Sequence, residues 1–490
     1  MSESGNLIDG AWVAGTGAAF QSLDPATGEV LWQGAASTAG DVEAALAAAR
    51  AALAQWSGRP FEERLEVLRA FGAAATKGQD GLARVIGRET GKVYWDALVE
   101  SSALASKLDH SLKAYEERTP QRHQTSGAIR SRLQHRPLGV MAVFGPYNFP
   151  AHLPNGHIIP ALLAGNTVVF KPSELTPWAA EETLKIWLEA GLPEGVINLV
   201  QGARETGQAL VQSPQIDGLL FTGSAATGAA ISRTLSARPE VMLALELGGN
   251  NPLLVDGTGD PQAAALLTIQ SAFVTSGQRC TCARRLIVPQ GADGDRFLEV
   301  LRVTMGGIRV GAWDDDPPPF MGPLISAGAA NAVAAAQSSL ERAGGRPIVR
   351  LEPLERGPAF VSPGLIDVSA INERPDEEIF GPLLQVIRVV DFAAGIEEAN
   401  NTRYGLAAGI LTEDRSRYES FYKSARAGVV NWNRPLTGAS SAAPFGGFGL
   451  SGNHRPSGSY AADYCAYPVA SLEAASDRLE MADVPKGIDL

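Results

Sequence analysis

The sequence predicts an α/β protein built on a parallel sheet covered by helices, with a second α/β region after it. From Gly139 onward, short apolar runs that end in Gly, Pro or Ser alternate with helical segments, and this order is typical of parallel sheets. The 490 residues exceed what one core supports, so two or three domains are expected. An apolar content of 45% with 19% charged residues is typical of a globular protein.

The amino-terminal part is predicted to be helical. Residues 41–56 and 61–77 carry apolar side chains at helical spacing, with Asp41 as the expected N-cap, and the pattern continues to about Glu117. A polar and basic stretch then covers 118–136, where alternation indicates an exposed strand. Such a strand suits an arm that pairs with another subunit.

Two groups of strands follow the arm. The first is indicated at 140–146, 167–173, 195–202, 216–224 and 242–249, with helices at 178–191 and 205–213 between them. The second, within 250–445, is indicated at 285–289, 383–390 and 428–433. The tail, 463–473, is again strand-like and is expected to join the arm, with the two strands pairing across subunits. Ligands bind beyond the carboxyl ends of parallel strands, so the chemistry is expected there.

Charge and composition exclude several classes of function. A net charge of −12 argues against nucleic acid and gives no attraction to anionic membranes. The first residues lack the basic and apolar regions of a secretory signal, and three cysteines do not make a disulfide framework. A cytoplasmic protein is therefore expected.

Two of the three cysteines, Cys280 and Cys282, lie two positions apart. No second Cys or His pair stands at zinc-site spacing, so no metal site is expected. A single intervening residue would strain a disulfide ring, so one cysteine is expected to act alone. It is either a nucleophile, for which Arg279 can favour the thiolate, or a small buried hydrophobe.

Two other polar residues stand in apolar surroundings. Glu246 precedes a double glycine at a predicted strand end, where a carboxylate either caps a turn or becomes a desolvated base with a raised pKa. Asn148 lies between Pro146 and Pro150, where its amide can donate to a developing oxyanion or form a turn.

Two further motifs indicate a nucleotide. Lys171 ends a predicted strand and can reach a ribose or phosphate, and Glu174 can accept from a ribose hydroxyl. The stretch FTGSAATG, 221–228, predicts a strand, a tight turn and a helix whose N–H groups point toward an anion. It is neither the G-x-G-x-x-G pattern nor a phosphate loop, so each motif alone leaves other interpretations open.

Taken in order, these motifs together with EEIFGP at 377–382 resemble the aldehyde dehydrogenase superfamily, from about Asn6 to Glu473. The resemblance implies a Rossmann-like NAD-binding domain, a catalytic α/β domain and a small β arm for oligomerisation. Their expected bounds are 1–117 with 137–248, then 249–445, and 118–136 with 463–473, respectively. A homodimer or homotetramer is implied as well.

The resemblance also implies roles for individual residues. Cys280 would add to an aldehyde, Asn148 and the backbone N–H of Cys280 would stabilise the oxyanion, and Glu246 would activate water to hydrolyse the thioester. Relatives that acylate coenzyme A generally lack that base, so a hydrolytic enzyme is implied, and Cys282 is left as a packing residue. NAD is the implied cofactor, favoured over NADP by Glu174. Its expected ligands are Lys171, Glu174, Gly223, Ser224, Ala225, Ala226, Thr227, Gly228, Glu378 and Phe380.

The loop at 431–447 resembles the one that grips the amino-acid end of glutamate semialdehyde in the related dehydrogenase of proline breakdown. A substrate with carboxylates besides the aldehyde is implied, so N–H-rich and cationic groups are expected near it. The candidates are Gly438, Ala439, Ser440, Ser441, Arg279 and Arg455. For Arg455, an ion pair that holds its loop is the alternative.

Overall fold

The computed structural model describes residues 5–127, 129–474, 476, 479 and 484–489. The helices are α1 (Ala39–Gly58), α2 (Phe61–Thr90), α3 (Tyr94–Arg118), α4 (His152–Ala164), α5 (Pro177–Glu189), α6 (Arg204–Gln212), α7 (Ala225–Leu235), α8 (Pro261–Phe273), α9 (Ala292–Met305), α10 (Ala327–Arg342), α11 (Phe392–Asn400), α12 (Arg415–Ser424) and α13 (Ala461–Cys465). Within the described ranges, no helix combines the length and apolarity needed to cross a membrane.

The strands before residue 250 are β1 (Asn6–Ile8), β2 (Ala11–Val13), β3 (Ala19–Leu23), β4 (Val30–Ala35), β5 (Arg122–Ser126), β6 (Ile129–Pro137), β7 (Val140–Phe144), β8 (Thr167–Lys171), β9 (Ile197–Leu199), β10 (Gly218–Gly223) and β11 (Met242–Leu247). Those after it are β12 (Asn251–Val255), β13 (Ala283–Pro289), β14 (Arg346–Val349), β15 (Gly364–Asp367), β16 (Leu383–Val389), β17 (Ala407–Leu411), β18 (Val429–Trp432), β19 (Pro444–Phe445), β20 (Ser457–Gly458) and β21 (Ala466–Ala474).

The first sheet has the order β11-β10-β7-β8-β9-β1-β2. Its strands from β11 to β9 are parallel, and β1 joins antiparallel to β9. Apolar side chains of α2, α3, α4 and α5 cover one face, and those of α1, α6 and α7 cover the other. The predicted parallel sheet covered by helices is confirmed.

The second sheet has the order β14-β15-β16-β13-β12-β17-β18. It is parallel except for β14, which pairs antiparallel with β15 at its edge. Its strands are buried in three apolar clusters, which include α8 with α9, α10, and α11 with α12, respectively. The carboxyl ends of four strands of the first sheet and the segments that lead into β13 and β16 of the second meet at one cavity, described below.

The arm is a separate three-stranded antiparallel sheet of order β21-β6-β5. The tail strand pairs with β6 of the same chain from Ala466 opposite Pro137 to Ala474 opposite Ile129. The expectation that these segments pair with each other across subunits is therefore wrong, because α13 turns the tail back onto its own arm. The strands also begin later than expected: Arg118 ends α3, Asp463 lies in α13, and the two form an ion pair.

The start of α1 differs from the expectation in a small way. Thr38 is the N-cap, and Asp41 stands three residues inside the helix, where its Oδ2 accepts from the Thr38 backbone N–H at 2.8 Å. Asp41 therefore completes a capping box instead of capping the helix itself.

Candidate active site

A cavity of about 890 Å³ lies at the carboxyl ends of β7, β8, β10 and β11. Residues from the second half of the chain, including Cys280, Glu378, Phe380 and Phe445, complete its wall. Asn148, Lys171 and Glu246 line the same cavity. Motifs far apart in the sequence thus meet in one place, at the end of the sheet where ligands of α/β proteins bind.

The segment before Cys280 is a buried left-handed turn. Thr275, Ser276 and Gly277 have φ of 55°, 54° and 71°. A Cβ at Gly277 would lie 2.2 Å from the Gly381 carbonyl oxygen, so only glycine fits there. The Thr275 hydroxyl donates to Asp96 Oδ2 at 2.5 Å, and that contact helps hold a conformation that β-branched residues rarely adopt.

Arg279 is directed away from the thiol. Its guanidinium pairs with Asp96 at 2.6 Å and lies 4.9 Å from the centre of the Phe149 ring. The cation that faces Cys280 is Arg284, which is fully buried and lies 3.7 Å from Glu378. Arg284, and not Arg279 as expected, is therefore the cation that favours the Cys280 thiolate.

The surroundings of Cys280 favour the protonated form of its thiol. Burial, and then the nearby carboxyl groups of Glu378 and Glu246, raise its pKa to about 12, while Arg284 acts in the opposite direction. A cation brought next to the sulfur would favour the thiolate. Cys282 is fully buried and contacts the Val274 carbonyl through its sulfur, as expected of a packing residue.

The Asn148 side chain is held against the Cys280 loop. Its Nδ2 donates to the Gln278 backbone carbonyl oxygen at 2.7 Å, and the backbone carbonyl oxygen of Asn148 accepts from Lys92 Nζ at 2.8 Å. Lys92 is in turn paired with buried Glu100. The amide is thus fixed beside the nucleophile loop, where an oxyanion donor is needed.

Glu246 is a buried carboxyl group with one free oxygen. Its Oε1 accepts from the Ser457 backbone N–H at 3.0 Å, and Oε2 has no hydrogen-bond partner among the described residues. Burial raises its pKa well above the usual value, and the hydrogen bonds from Ser457 offset only part of this. A carboxyl group with a raised pKa is a stronger base when it loses its proton.

Lys171 and Glu174 stand on the cofactor side of the cavity. Lys171 ends β8 and is buried, with Nζ donating to the Pro172 carbonyl oxygen at 2.7 Å. Burial lowers its pKa to about 8, and Glu174 acts in the opposite direction. Glu174 is exposed on the rim of the cavity, where a ribose hydroxyl can reach it.

The turn after β10 opens onto the same region. Ser224 caps α7 by accepting from the Thr227 N–H at 3.2 Å. Gly223, Ser224, Ala226 and Thr227 line the cavity, whereas Ala225 packs on the apolar core and Gly228 is buried. The start of α7, a buried ammonium and an exposed carboxylate in one cleft fit the phosphates and ribose of a dinucleotide.

The predicted substrate residues divide into three groups. The loop from Gly438 to Ser441 is mostly exposed, and Ser441 Oγ accepts from Lys107 Nζ at 3.1 Å. Arg455 is exposed and forms no ion pair with any described residue, so the alternative of a loop-holding ion pair is wrong within that part of the chain. Arg279 is occupied by Asp96.

Sequence reasoning missed five residues around this site: Asp96, Glu100, Lys107, Arg284 and Ser457. Asp96, Glu100 and Lys107 lie beside the apolar stripe of α3 at buried positions. Charged residues at core-facing positions of a helix were the available signal, since such groups are rarely buried without a purpose.

Residues 12–468 match the aldehyde dehydrogenase family, and the chain belongs to that family. It is 57% identical over 470 residues to an N-succinylglutamate 5-semialdehyde dehydrogenase of Chromobacterium violaceum, covering 96% of each protein. It is 55% identical over 478 residues to the protein of the same name from Pseudomonas fluorescens, covering 98% of each. The structure resembles that of betaine aldehyde dehydrogenase from Staphylococcus aureus in complex with NAD⁺, at a TM-score of 0.90 and 26% identity, covering 98% of this chain and 96% of that one.

Proposed function

We propose that this aldehyde dehydrogenase oxidises N-succinyl-L-glutamate 5-semialdehyde to N-succinyl-L-glutamate with NAD, as a step of arginine catabolism. The observation that carries the chemistry is the meeting of Cys280, Glu246 and Asn148 in one cavity that also fits a dinucleotide. The substrate assignment is supported by the near full-length identity with two relatives of that name.

The reaction would have two stages, oxidation of the aldehyde on Cys280 and hydrolysis of the resulting thioester. Cys280 Sγ attacks the aldehyde carbon to form a thiohemiacetal, whose oxyanion accepts from the Asn148 amide and the Cys280 backbone N–H. When bound, NAD accepts the hydride and brings a cationic ring, which favours the thiolate. Glu246 then takes a proton from the water that hydrolyses the thioester, a role that suits its raised pKa.

The proposed NAD ligands are those of the cofactor side of the cavity. The first turn of α7 would face the pyrophosphate, Lys171 and Glu174 the adenine ribose, and Glu378 and Phe380 the nicotinamide end. A carboxylate at Glu174 disfavours the extra phosphate of NADP by charge repulsion. The first sheet with its helices would form the NAD-binding domain and the second sheet the catalytic domain.

The arm would mediate assembly into a homodimer or homotetramer. Because β21 and β5 are the outer strands of the arm, each leaves one edge that another copy can extend. Light scattering of the purified protein should then give two or four times the mass of one chain. A monomeric mass would contradict the role proposed for the arm.

The test of the substrate is NADH formation with N-succinylglutamate 5-semialdehyde and with L-glutamate 5-semialdehyde, each titrated for kcat/KM. A large preference for the succinylated compound is expected. The loop at 431–447 resembles the one that binds glutamate semialdehyde in the dehydrogenase of proline breakdown, so L-glutamate 5-semialdehyde is the second candidate substrate. A kcat/KM for L-glutamate 5-semialdehyde equal to or above that for the succinylated compound would favour this second candidate.

A further inference from the structure

Lys107 is a buried cation that has no acidic partner among the described residues. The residue is 7% exposed, and its ammonium forms no ion pair with any residue in the described ranges. In the part of the chain that the structure describes, its ammonium donates one hydrogen bond, to the Ser441 hydroxyl at 3.1 Å. Burying an ammonium this way costs stability unless an anion compensates it. Desolvation accordingly lowers the pKa of Lys107 to about 8, with no neighbouring acid acting against it.

The other two cations near His152 have acidic partners, whereas Lys107 does not have one among the described residues. Burial, and then the charges of Lys107, Lys92 and Arg279, hold the pKa of His152 well below the usual value. Lys92 is paired with Glu100, and Arg279 is paired with Asp96. Lys107 therefore leaves one positive charge unmatched. His152 adds a buried ring nitrogen, Nδ1, without a hydrogen-bond partner among the described residues.

Lys107 lies between elements that line the active-site cavity. It packs on α4 at Gly156, where a Cβ would come within 3.2 Å of its Nζ, so the absence of a side chain makes room for the ammonium. One residue further, His157 contacts Thr222 of the cavity wall at 3.3 Å. On the other side, Ser441 belongs to the loop that reaches the cavity at Phe445.

We propose that Lys107, with the Ser441 hydroxyl, binds a substrate carboxylate remote from the aldehyde and so determines specificity for carboxylated semialdehydes. This inference rests on the proposed function. The carboxylate would supply the missing negative charge, and His152 would be a further polar group next to it. The site differs from the backbone N–H groups of Gly438 to Ser441, since it is a buried charge on α3.

The experiment compares wild type with Lys107→Met and Lys107→Arg. The aldehydes are N-succinylglutamate 5-semialdehyde, its N-acetyl analogue, which lacks the succinyl carboxylate, and hexanal, which has no charge. For Lys107→Met, kcat/KM should fall on the order of 100-fold with the succinylated aldehyde, mainly through KM, and by less than about 3-fold with hexanal. Lys107→Arg should recover part of the loss.

The N-acetyl analogue distinguishes the two carboxylates of the substrate. Lys107 binds the succinyl carboxylate if wild type already has a much lower kcat/KM with the N-acetyl compound than with the succinylated one, and if Lys107→Met does not lower kcat/KM for the N-acetyl compound further. If Lys107→Met lowers kcat/KM for the N-acetyl compound as well, Lys107 binds the α-carboxylate. Either pattern supports carboxylate binding at Lys107.

Two measurements without turnover separate recognition from folding. Binding of the product, N-succinylglutamate, measured by calorimetry should weaken on the order of 100-fold in Lys107→Met. The thermal midpoint of Lys107→Met should equal or exceed that of wild type, because the variant removes an uncompensated buried charge. A lower thermal midpoint, together with a loss of kcat/KM for hexanal as large as the loss for the succinylated aldehyde, would indicate a structural role for Lys107 and overturn the inference.

The substrate preferences of wild type and of Lys107→Met test the proposed function and the role of Lys107 separately. If wild type prefers hexanal to both carboxylated aldehydes, the proposed function fails. If wild type prefers the carboxylated aldehydes and Lys107→Met keeps that preference, only the role of Lys107 is refuted.

Discussion

The buried ion pair between Asp96 and Arg279 should hold the nucleophile loop in place. Asp96 is fully buried, Arg279 is 15% exposed, and the two lie 2.6 Å apart. The second oxygen of Asp96 accepts from the Thr275 hydroxyl in the left-handed turn. Asp96→Asn keeps the shape of the side chain but removes its charge, so Arg279 is left buried without a counter-ion.

Breaking a buried pair by removing one partner costs about 3–5 kcal/mol. The partial exposure of Arg279 and its contact with the Phe149 ring favour the lower end, so we expect Asp96→Asn to lose about 3 kcal/mol of unfolding free energy. The loop would also be less well positioned, and a displacement of about 1 Å costs about 100-fold in kcat/KM.

The assay is urea denaturation followed by tryptophan fluorescence, with kcat/KM measured in parallel. The matched control is Glu117→Gln, which breaks an exposed pair with Lys113 on the same helix, α3, and should cost less than about 0.5 kcal/mol. If Asp96→Asn unfolds within 0.5 kcal/mol of wild type, at about the cost of the control, the pair does not stabilise the loop as argued.

Three further predictions concern the reaction itself. Cys280→Ser should lose aldehyde oxidation because the sulfur is the nucleophile, and full activity in that variant would refute the assignment. Glu174→Ala should lower the preference for NAD over NADP by about tenfold, the worth of one hydrogen bond, whereas unchanged selectivity would remove Glu174 from the cofactor site. Deacylation needs the Glu246 carboxylate, and burial raises its pKa well above 4.5. Its rate should therefore fall with decreasing pH while the pH is still well above 4.5, and a profile flat down to pH 4.5 would contradict the raised pKa.

Local patterns were enough to predict the strand ends that carry the site. Lys171 and Glu246 lie at the ends of β8 and β11, and Ser224 caps α7 after β10, as the alternation of apolar runs with Gly and Ser indicates. In each case the functional residue and the element that positions it are within a few residues of each other. Short-range sequence signals therefore suffice for them.

Two central strands of the second sheet could not be predicted this way. The strand β12 contains Pro252, which argues against a central strand, and the register shifts between Asn251 and Pro252 to accommodate it. The strand β17, AAGIL, contains Ala and Gly, which have low strand propensity. Burial between neighbouring strands overrides both local preferences.

The supporting charges were also beyond local patterns. Asp96 and Arg279 are 183 residues apart, and Lys107 and Ser441 are 334 apart. Nothing in the stretch around Cys280 indicates that Arg279 turns toward α3 and that Arg284 faces the site in its place. Only the packing of α3 and α4 against the second half of the chain determines which cation faces which anion.

The central claim is that Cys280 forms an acyl-enzyme that Glu246 hydrolyses. It is tested most directly by mixing Glu246→Gln with NAD and N-succinylglutamate 5-semialdehyde and following NADH formation, then digesting the protein for mass spectrometry. We expect a burst of about one NADH per active site with little turnover, and an N-succinylglutamyl group on the peptide that contains Cys280. Loss of the burst itself, or an acyl group on another residue, would contradict the mechanism.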